Sequence, residues 1–198
     1  MPRKLLVLSI FLGSFVSFAL EPMVGRALLP VFGGAPGVWV VCLAAFQILM
    51  VGGYFYAGLV SRGERTSVAL LMHVALLLAA GGWCIFLSNG EDKILQATCE
   101  LTGIGPLDVL VSVLALVGVA FVLLSANATL VQNLSGGDYR LYAVSNLGSF
   151  LGLFAYPTLV EPFVGLSAQW TMLGVSIAVY AILIFLSSRV APASEAAA

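Results

Sequence analysis

Apolar residues run along this chain in six long blocks, with polar and helix-breaking residues gathered between them. The blocks are Leu5–Leu20, Val38–Val60, Ser67–Leu87, Leu107–Ser125, Leu141–Val160 and Trp170–Leu186. None alternates apolar with polar at period two, and each is longer than a barrel strand, so each predicts a helix. About 20 helical residues cross the roughly 30 Å of bilayer hydrocarbon. The pattern therefore predicts an all-α polytopic membrane helix bundle of about six transmembrane helices. The first block is short for a span unless it continues past Glu21. Residues 1–190 read as one integral membrane domain, and 191–198 as a short cytoplasmic tail.

Composition supports this class. The chain is 61% hydrophobic and 9% charged, whereas a soluble domain carries about 25% charged residues. A net charge of −1 leaves no basic patch to neutralise phosphates, which argues against nucleic acid as a partner.

Charge placement sets the orientation. With a cytoplasmic N-terminus and six alternating helices, Arg3, Lys4, Arg62, Arg65, Arg140 and Arg189 lie inside, and only Arg26 and Lys93 lie outside. This obeys the positive-inside rule and puts both termini in the cytoplasm, the Ser88–Gly105 loop outside, and the protein in a bacterial inner membrane. The N-terminal MPRKLLVLSIFLGSFVSFALEP also has signal-peptide grammar, with Ser17-Phe18-Ala19 resembling a cleavage site. Its apolar run is long for a signal peptide, so a retained first helix is the favoured reading.

The segment ALEPMVGRALLPVFGGAPGVW, Ala19–Trp39, is the least ordinary part of the chain. It joins two apolar blocks and carries Glu21, Arg26, Pro22, Pro30, Pro36 and the Gly33-Gly34 pair. Backbone broken by Pro and Gly near a bilayer must be satisfied by protein or water, and ionisable groups there nominate a site. The competing reading is a Glu–Arg pair that pins helix ends. Glu161-Pro162 repeats the Glu21-Pro22 dipeptide at the outward end of the fifth block, so the two carboxylates could face one vestibule. Gln47, Tyr54, Asn127 and Asn146 are polar groups at membrane depth, with Ser145 and Ser149 beside Asn146. Taken singly, such residues serve as interhelical glue worth about 0.6–2 kcal/mol. Glu21, Arg26, Gln47, Tyr54, Asn127, Asn146 and Glu161 together form the candidate substrate-binding set. His73 reads as a neutral hydrogen-bonded helix residue, and Asp108 as a helix-start residue favoured by the dipole.

Two further patterns bear on architecture. GGAPGVWVVCLAAFQ (Gly33–Gln47) and GGDYRLYAVSNLGSF (Gly136–Phe150) both open with Gly-Gly and place an aromatic, Trp39 or Tyr142, at the same spacing. Each follows the first helix of a three-helix set, which points to an inverted 3+3 repeat of the kind that builds transporter halves. Cys42 reads as a small buried residue. Cys84 and Cys99 flank the outward end of the third block, where a disulfide is one option. With no CxxC, HExxH or clustered His and Cys, the sequence predicts no metal and no cofactor.

LEPMVGRALLPVFGGAPGVW, FQ at Phe46-Gln47, GYFYA at Gly53–Ala57, ANATLVQ at Ala126–Gln132, LYAVSNLGS at Leu141–Ser149 and AYPTLVEPFVGL at Ala155–Leu166 together resemble the membrane domain of fused transporter-like (MFS-type) spermidine synthases. The matches follow in order over most of the chain. In that family an integral membrane domain precedes a soluble aminopropyltransferase domain, which binds decarboxylated S-adenosylmethionine and putrescine through a Gly-rich motif and acidic residues. After Arg189 this chain gives only VAPASEAAA, so the resemblance is to the membrane domain alone. It implies a membrane context, polyamine or related small-molecule chemistry, and a separate soluble synthase as a partner. It does not imply catalysis by these residues.

Two functional classes follow. One is a transporter-like module handling a small cationic or polar solute such as a polyamine, supported by Glu21 and Glu161. The other is a non-catalytic membrane subunit or anchor, working as a homo-oligomer or with a partner membrane protein. Its support is size, since six helices are half of a twelve-helix carrier. No nucleophile–base pair or metal set points to an enzyme.

Overall fold

The computed structural model describes residues 2–62, 66–134 and 139–190. The chain folds into helices α1 (Pro2–Phe32), α2 (Pro36–Arg62), α3 (Thr66–Thr98), α4 (Gly105–Val113), α5 (Val119–Ser125), α6 (Asn127–Leu134), α7 (Tyr139–Ala155) and α8 (Leu166–Val190). π-Helical turns at Leu114–Gly118 and Tyr156–Val160 join α4 to α5 and extend α7. Six stretches are long and apolar enough to cross a membrane: Lys4–Phe32, Pro36–Ser61, Val68–Thr98, Gly105–Gln132, Tyr139–Val160 and Leu166–Ser187. The protein is an all-α, multi-pass membrane bundle. The tail 191–198 and the second Gly-Gly pair, Gly136-Gly137, lie outside the described residues.

The broken connector expected between the first two spans is instead helix. α1 runs unbroken through Pro22 and Pro30. The reason is packing: Leu20, Met23, Val24, Ala27 and Leu28 are all buried, which continues the core-facing stripe past the proline at helical spacing. A proline inside a helix removes one backbone donor, and neighbouring helices can compensate for that loss within a membrane. α1 stops at Gly33, whose positive φ of 74° and bond from its N–H to Leu29 O, 2.9 Å, form a left-handed C-terminal cap. Pro36 then opens α2, where its missing N–H costs nothing.

The long outward loop expected at Ser88–Gly105 is likewise mostly helix. α3 carries Glu91, Asp92 and Lys93 within it and ends at Thr98. Cys84 and Cys99 therefore lie about 22 Å apart along one helical axis, which forbids the disulfide, and all three cysteines are free. The fourth span, expected to end at Ser125, passes through a single turn residue, Ala126, and continues through α6. Asp108 sits buried in the first turn of α4 and accepts 2.7 Å bonds from the Thr102 N–H and hydroxyl, so it closes the turn before its helix.

The fourth and sixth spans are the most enclosed. Phe46 of α2 meets Phe121 of α5 with ring centroids 4.8 Å apart, and Trp170, Tyr180, Leu116 and Leu124 are fully buried. The first span packs chiefly on the fifth, the second on the fourth, and the third on the sixth. Exchanging the two three-helix halves maps this pairing onto itself. Close approach depends on missing side chains. A Cβ at Gly148 would lie 2.6 Å from Phe11 O of α1, and one at Gly174 2.5 Å from Gly81 O of α3.

Candidate functional site

Asn127 opens α6, just past the turn residue Ala126, and is almost fully buried. Its Nδ2 donates to Ile10 O at 3.1 Å and lies 3.5 Å from Ser14 Oγ. Its Oδ1 accepts from the Tyr180 hydroxyl at 2.9 Å. Ser14 Oγ is 2.8 Å from Ser145 Oγ. One amide thus ties the first, fourth and sixth spans together, and a serine pair adds the fifth. Gly13 makes the room, since a Cβ there would overlap the Asn127 amide. A buried amide left without these partners would carry the full desolvation penalty of its polar atoms.

Beside this knot lies a cavity of about 150 Å³ between the first, second, fourth and fifth spans. Ser14, Asn127 and Ser145 form its buried side, and Tyr54, Tyr142 and Asn146 stand at its exposed rim. Phe18, Met50, Phe121 and Leu124 make most of the wall apolar; its polar part consists of hydroxyls and amides, and none of the described residues lining it is charged. Such groups both donate and accept, so the cavity can hydrogen-bond a small polar molecule in more than one orientation. Three residues of the sequence-derived set, Tyr54, Asn127 and Asn146, come together here.

The other four lie elsewhere. Arg26 and Glu161 meet at one end of the bundle. The guanidinium Nη1 donates to Glu161 O at 3.2 Å, and Nε lies 3.9 Å from the Glu161 carboxylate. The backbone contact is the closer one, so Arg26 acts first as a cation on the carbonyl end of the fifth helix. Glu91 of α3 and Tyr156 of the second π turn lie within electrostatic reach of Arg26. Glu91 accepts a hydrogen bond from Trp170 Nε1. Tyr156 donates to Gln169 Oε1 at 3.0 Å, and Gln169 Nε2 donates to Val164 O at 2.8 Å. This clasp joins four spans.

Glu21 is not in the clasp. Arg26 lies five positions further along, a turn of about 140° around α1. Its carboxylate lies toward Cys42 of α2 and has no hydrogen-bond or ion-pair partner among the described residues. It follows Ser17 and Phe18, both cavity-lining, at spacings of four and three residues. Glu21 therefore stands one helical turn beyond the cavity on the same stripe of α1. Gln47 is exposed on α2 and does not line the cavity.

Sequence reasoning missed Ser14, Tyr180, Glu91, Tyr156, Gln169 and Trp170. A faint signal existed for Ser14, which recurs with Ser17 at helical spacing. Tyr180 and Trp170 carry none beyond their aromatic character. His73, fully buried on α3, pairs Nδ1 with the Tyr56 hydroxyl at 3.1 Å, while its Nε2 has no partner among the described residues. Among the described residues no group of three or more His, Cys, Asp or Glu could hold a metal ion. No family model, curated protein or solved structure matches this chain.

Proposed function

We propose that this protein is a transporter-like membrane module that binds a small polar solute in the cavity between the first, second, fourth and fifth spans. The observation that carries the reading is a cluster of hydroxyls and amides, from Ser14, Tyr54, Asn127, Ser145 and Asn146, that shares the cavity's wall with Phe18, Met50, Phe121 and Leu124. Groups that need only hold helices together would be fully paired and closed over. Here Asn146 and Tyr54 remain exposed at the rim. Glu21, unpaired one turn away, supplies the negative charge that would draw in a cation and favours a polyamine-like solute. This agrees with the motif resemblance to the membrane domain of spermidine synthase-like proteins. The cavity's uncharged walls would then hydrogen-bond the rest of the molecule.

Equilibrium binding of putrescine, spermidine and an uncharged polyol to the purified protein tests the reading. Putrescine or spermidine should bind and raise the unfolding temperature, and Tyr54→Phe and Asn146→Ala should weaken binding without loss of fold. Absence of binding by all three solutes at millimolar concentration overturns it. The second reading, a non-catalytic membrane subunit, draws on one observation. Gln47 presents an amide on the outer surface of α2, midway along a span, where lipid offers it no partner.

A further inference from the structure

We propose that His73 is a proton-binding site linked to the solute cavity, so that a proton and a cationic solute bind antagonistically. The solute half of that linkage rests on the reading of the cavity as the solute site. His73 is the one histidine of the chain and sits fully buried in α3. Its Nδ1 lies 3.1 Å from the Tyr56 hydroxyl of α2, and its Nε2 has no partner among the described residues. Neither tautomer mends this. A hydrogen on Nε2 finds no acceptor there, and a bare Nε2 finds no donor. A ring that only held helices together would be paired at both nitrogens. With Nδ1–H donating to the Tyr56 oxygen, the Nε2 lone pair can take a proton from hydronium. Water is left behind and the ring becomes a cation.

The surroundings do not suit that charge. The depth of His73 is set by a series of contacts: Tyr56 meets the ring, Tyr180 meets Asn127, and Asn127 meets Ile10 and Ser14. At this depth, residues 10–17 of α1, 50–60 of α2, 121–131 of the fourth span and 177–184 of α8 hold no Asp, Glu, Lys or Arg. The titratable groups around the ring are Tyr56 and, within electrostatic reach of it, Tyr180 of α8. α4 packs on the other end of α3, where Asp108 is engaged by Thr102. On α3 itself Cys84 lies about 16 Å along the axis. A cation at His73 therefore has no counter-ion among the described residues, in a medium where isolated charge is costly. The packed conformation suits the neutral ring, and the proton belongs to a conformation that admits water.

Two routes lead from the ring to the cavity. Tyr56 shares α2 with Met50 and Tyr54, which line it. Tyr180 donates to Asn127, part of its buried side. α2 has no slack against the fourth span, since a Cβ at Gly53 would overlap Ser125 Oγ. Water that reaches His73 must displace Tyr56 and with it α2, which takes Met50 and Tyr54 away from the cavity wall. A solute that holds the wall in place thus holds the ring neutral. A cation in the cavity also repels a cation on the ring, which acts with the same sign. By reciprocity, the solute weakens the proton as much as the proton weakens the solute.

The test uses the full chain in micelles with its single histidine labelled with nitrogen-15, so that NMR reads the ring's protonation directly. As pH falls from about 8 to about 4.5, the ring should pass from neutral to imidazolium, and saturating putrescine should move that transition to lower pH. Putrescine should bind about fivefold more weakly at the acid end. In His73→Gln the dependence should shrink to the part that Glu21 contributes in both proteins. Because the proton favours the looser form, stability is fully present above about pH 6.5 and is lost as pH falls. The unfolding temperature without solute should therefore drop with acid more steeply in the unmodified chain than in His73→Gln. Tyr56→Phe, which keeps the histidine, should shift the ring's transition. A ring that stays neutral throughout, a transition that bound putrescine does not move, or an unaltered pH dependence of binding in His73→Gln each overturns the inference. Putrescine binding in company with any of these leaves the solute site standing. If no solute binds at either pH, the solute reading fails and the linkage with it, while a titrating ring and the stability difference would still assign the proton to His73.

Discussion

The Tyr180 hydroxyl donates a 2.9 Å hydrogen bond to Asn127 Oδ1, joining the last span to the fourth at the middle of the bundle. The same amide donates into α1. Three helices separated widely in sequence thus converge on one side chain, and its two kinds of polar atom point in opposite directions. The arrangement fixes the rotation of each helix, because turning any of them would leave a buried polar group unpaired.

Asn127→Ala should therefore destabilise the protein by about 1–3 kcal/mol, the cost of stranding the Tyr180 hydroxyl and losing the tie to the Ile10 carbonyl, which keeps its bond within α1. Tyr180→Phe should cost less, since only the acceptor on Asn127 is left without its partner. Reversible unfolding in mixed micelles measures both. The double variant should fall short of the sum by about 0.5–2 kcal/mol. Strict additivity would mean that the bond contributes nothing.

Gly148→Ala should loosen the contact between α1 and α7. The added methyl would lie 2.6 Å from Phe11 O and 3.3 Å from Ser14 Cβ, and backbone has to move to admit it, at about 1–3 kcal/mol. Gly82→Ala is the comparison, because nothing lies within 4 Å of its Cβ position. There the substitution should be neutral or slightly stabilising through helix propensity. Equal effects at the two sites would show that the close approach carries no weight.

Six spans were legible because a membrane helix is written as a long apolar run, and such runs survive errors at their ends. The ends themselves were misread wherever local chemistry opposed packing. Pro22 and Glu21 look like a break, yet Leu20, Met23, Val24 and Ala27 keep the helix in register with the core. Glu91, Asp92 and Lys93 look like a loop, yet they ride on the last turns of α3, where Glu91 meets Trp170. At the site, Asn127 and Asn146 stood out as polar groups at membrane depth. Their partners did not, because Ser14 and Tyr180 are common residues whose rotation toward Asn127 is set by tertiary packing alone. Glu21 and Arg26 were grouped by proximity in sequence, and the helix separates them onto different faces.

The charge asymmetry predicts which end of the bundle faces outward. Ala35 and Phe163, exposed in the short connections that follow α1 and precede α8, lie at the end that carries Arg26 and Glu161. Cysteines placed there, in a Cys99→Ser background, should react with a membrane-impermeant thiol reagent applied to intact cells. A cysteine in residues 191–198 should react only after the cells are opened. The opposite pattern would invert the topology and place Glu21 on the cytoplasmic side.

Glu21 and Arg26 should respond differently to neutralisation, although both are charged groups on one helix. The Glu21 carboxylate has no partner among the described residues and stands one turn beyond the cavity. Glu21→Gln keeps its shape and removes its charge, so folding should be nearly unchanged or slightly improved. Binding of a dicationic solute such as putrescine should weaken about fivefold to tenfold, roughly 1 kcal/mol, and the loss should shrink at high salt as screening grows. Binding of an uncharged polyol should not change. Arg26 is held by Glu161 and lies near Glu91 and Tyr156. Arg26→Ala removes the cation between two carboxylates and uncaps the fifth helix. It should lower stability by about 1 kcal/mol, a figure kept small because the pair is partly exposed to solvent. Titration calorimetry with each solute, beside thermal unfolding of both variants, separates the roles. If Glu21→Gln leaves putrescine affinity untouched, Glu21 does not draw the solute in. If Arg26→Ala instead abolishes binding with stability intact, the clasp end holds the solute in place of the central cavity.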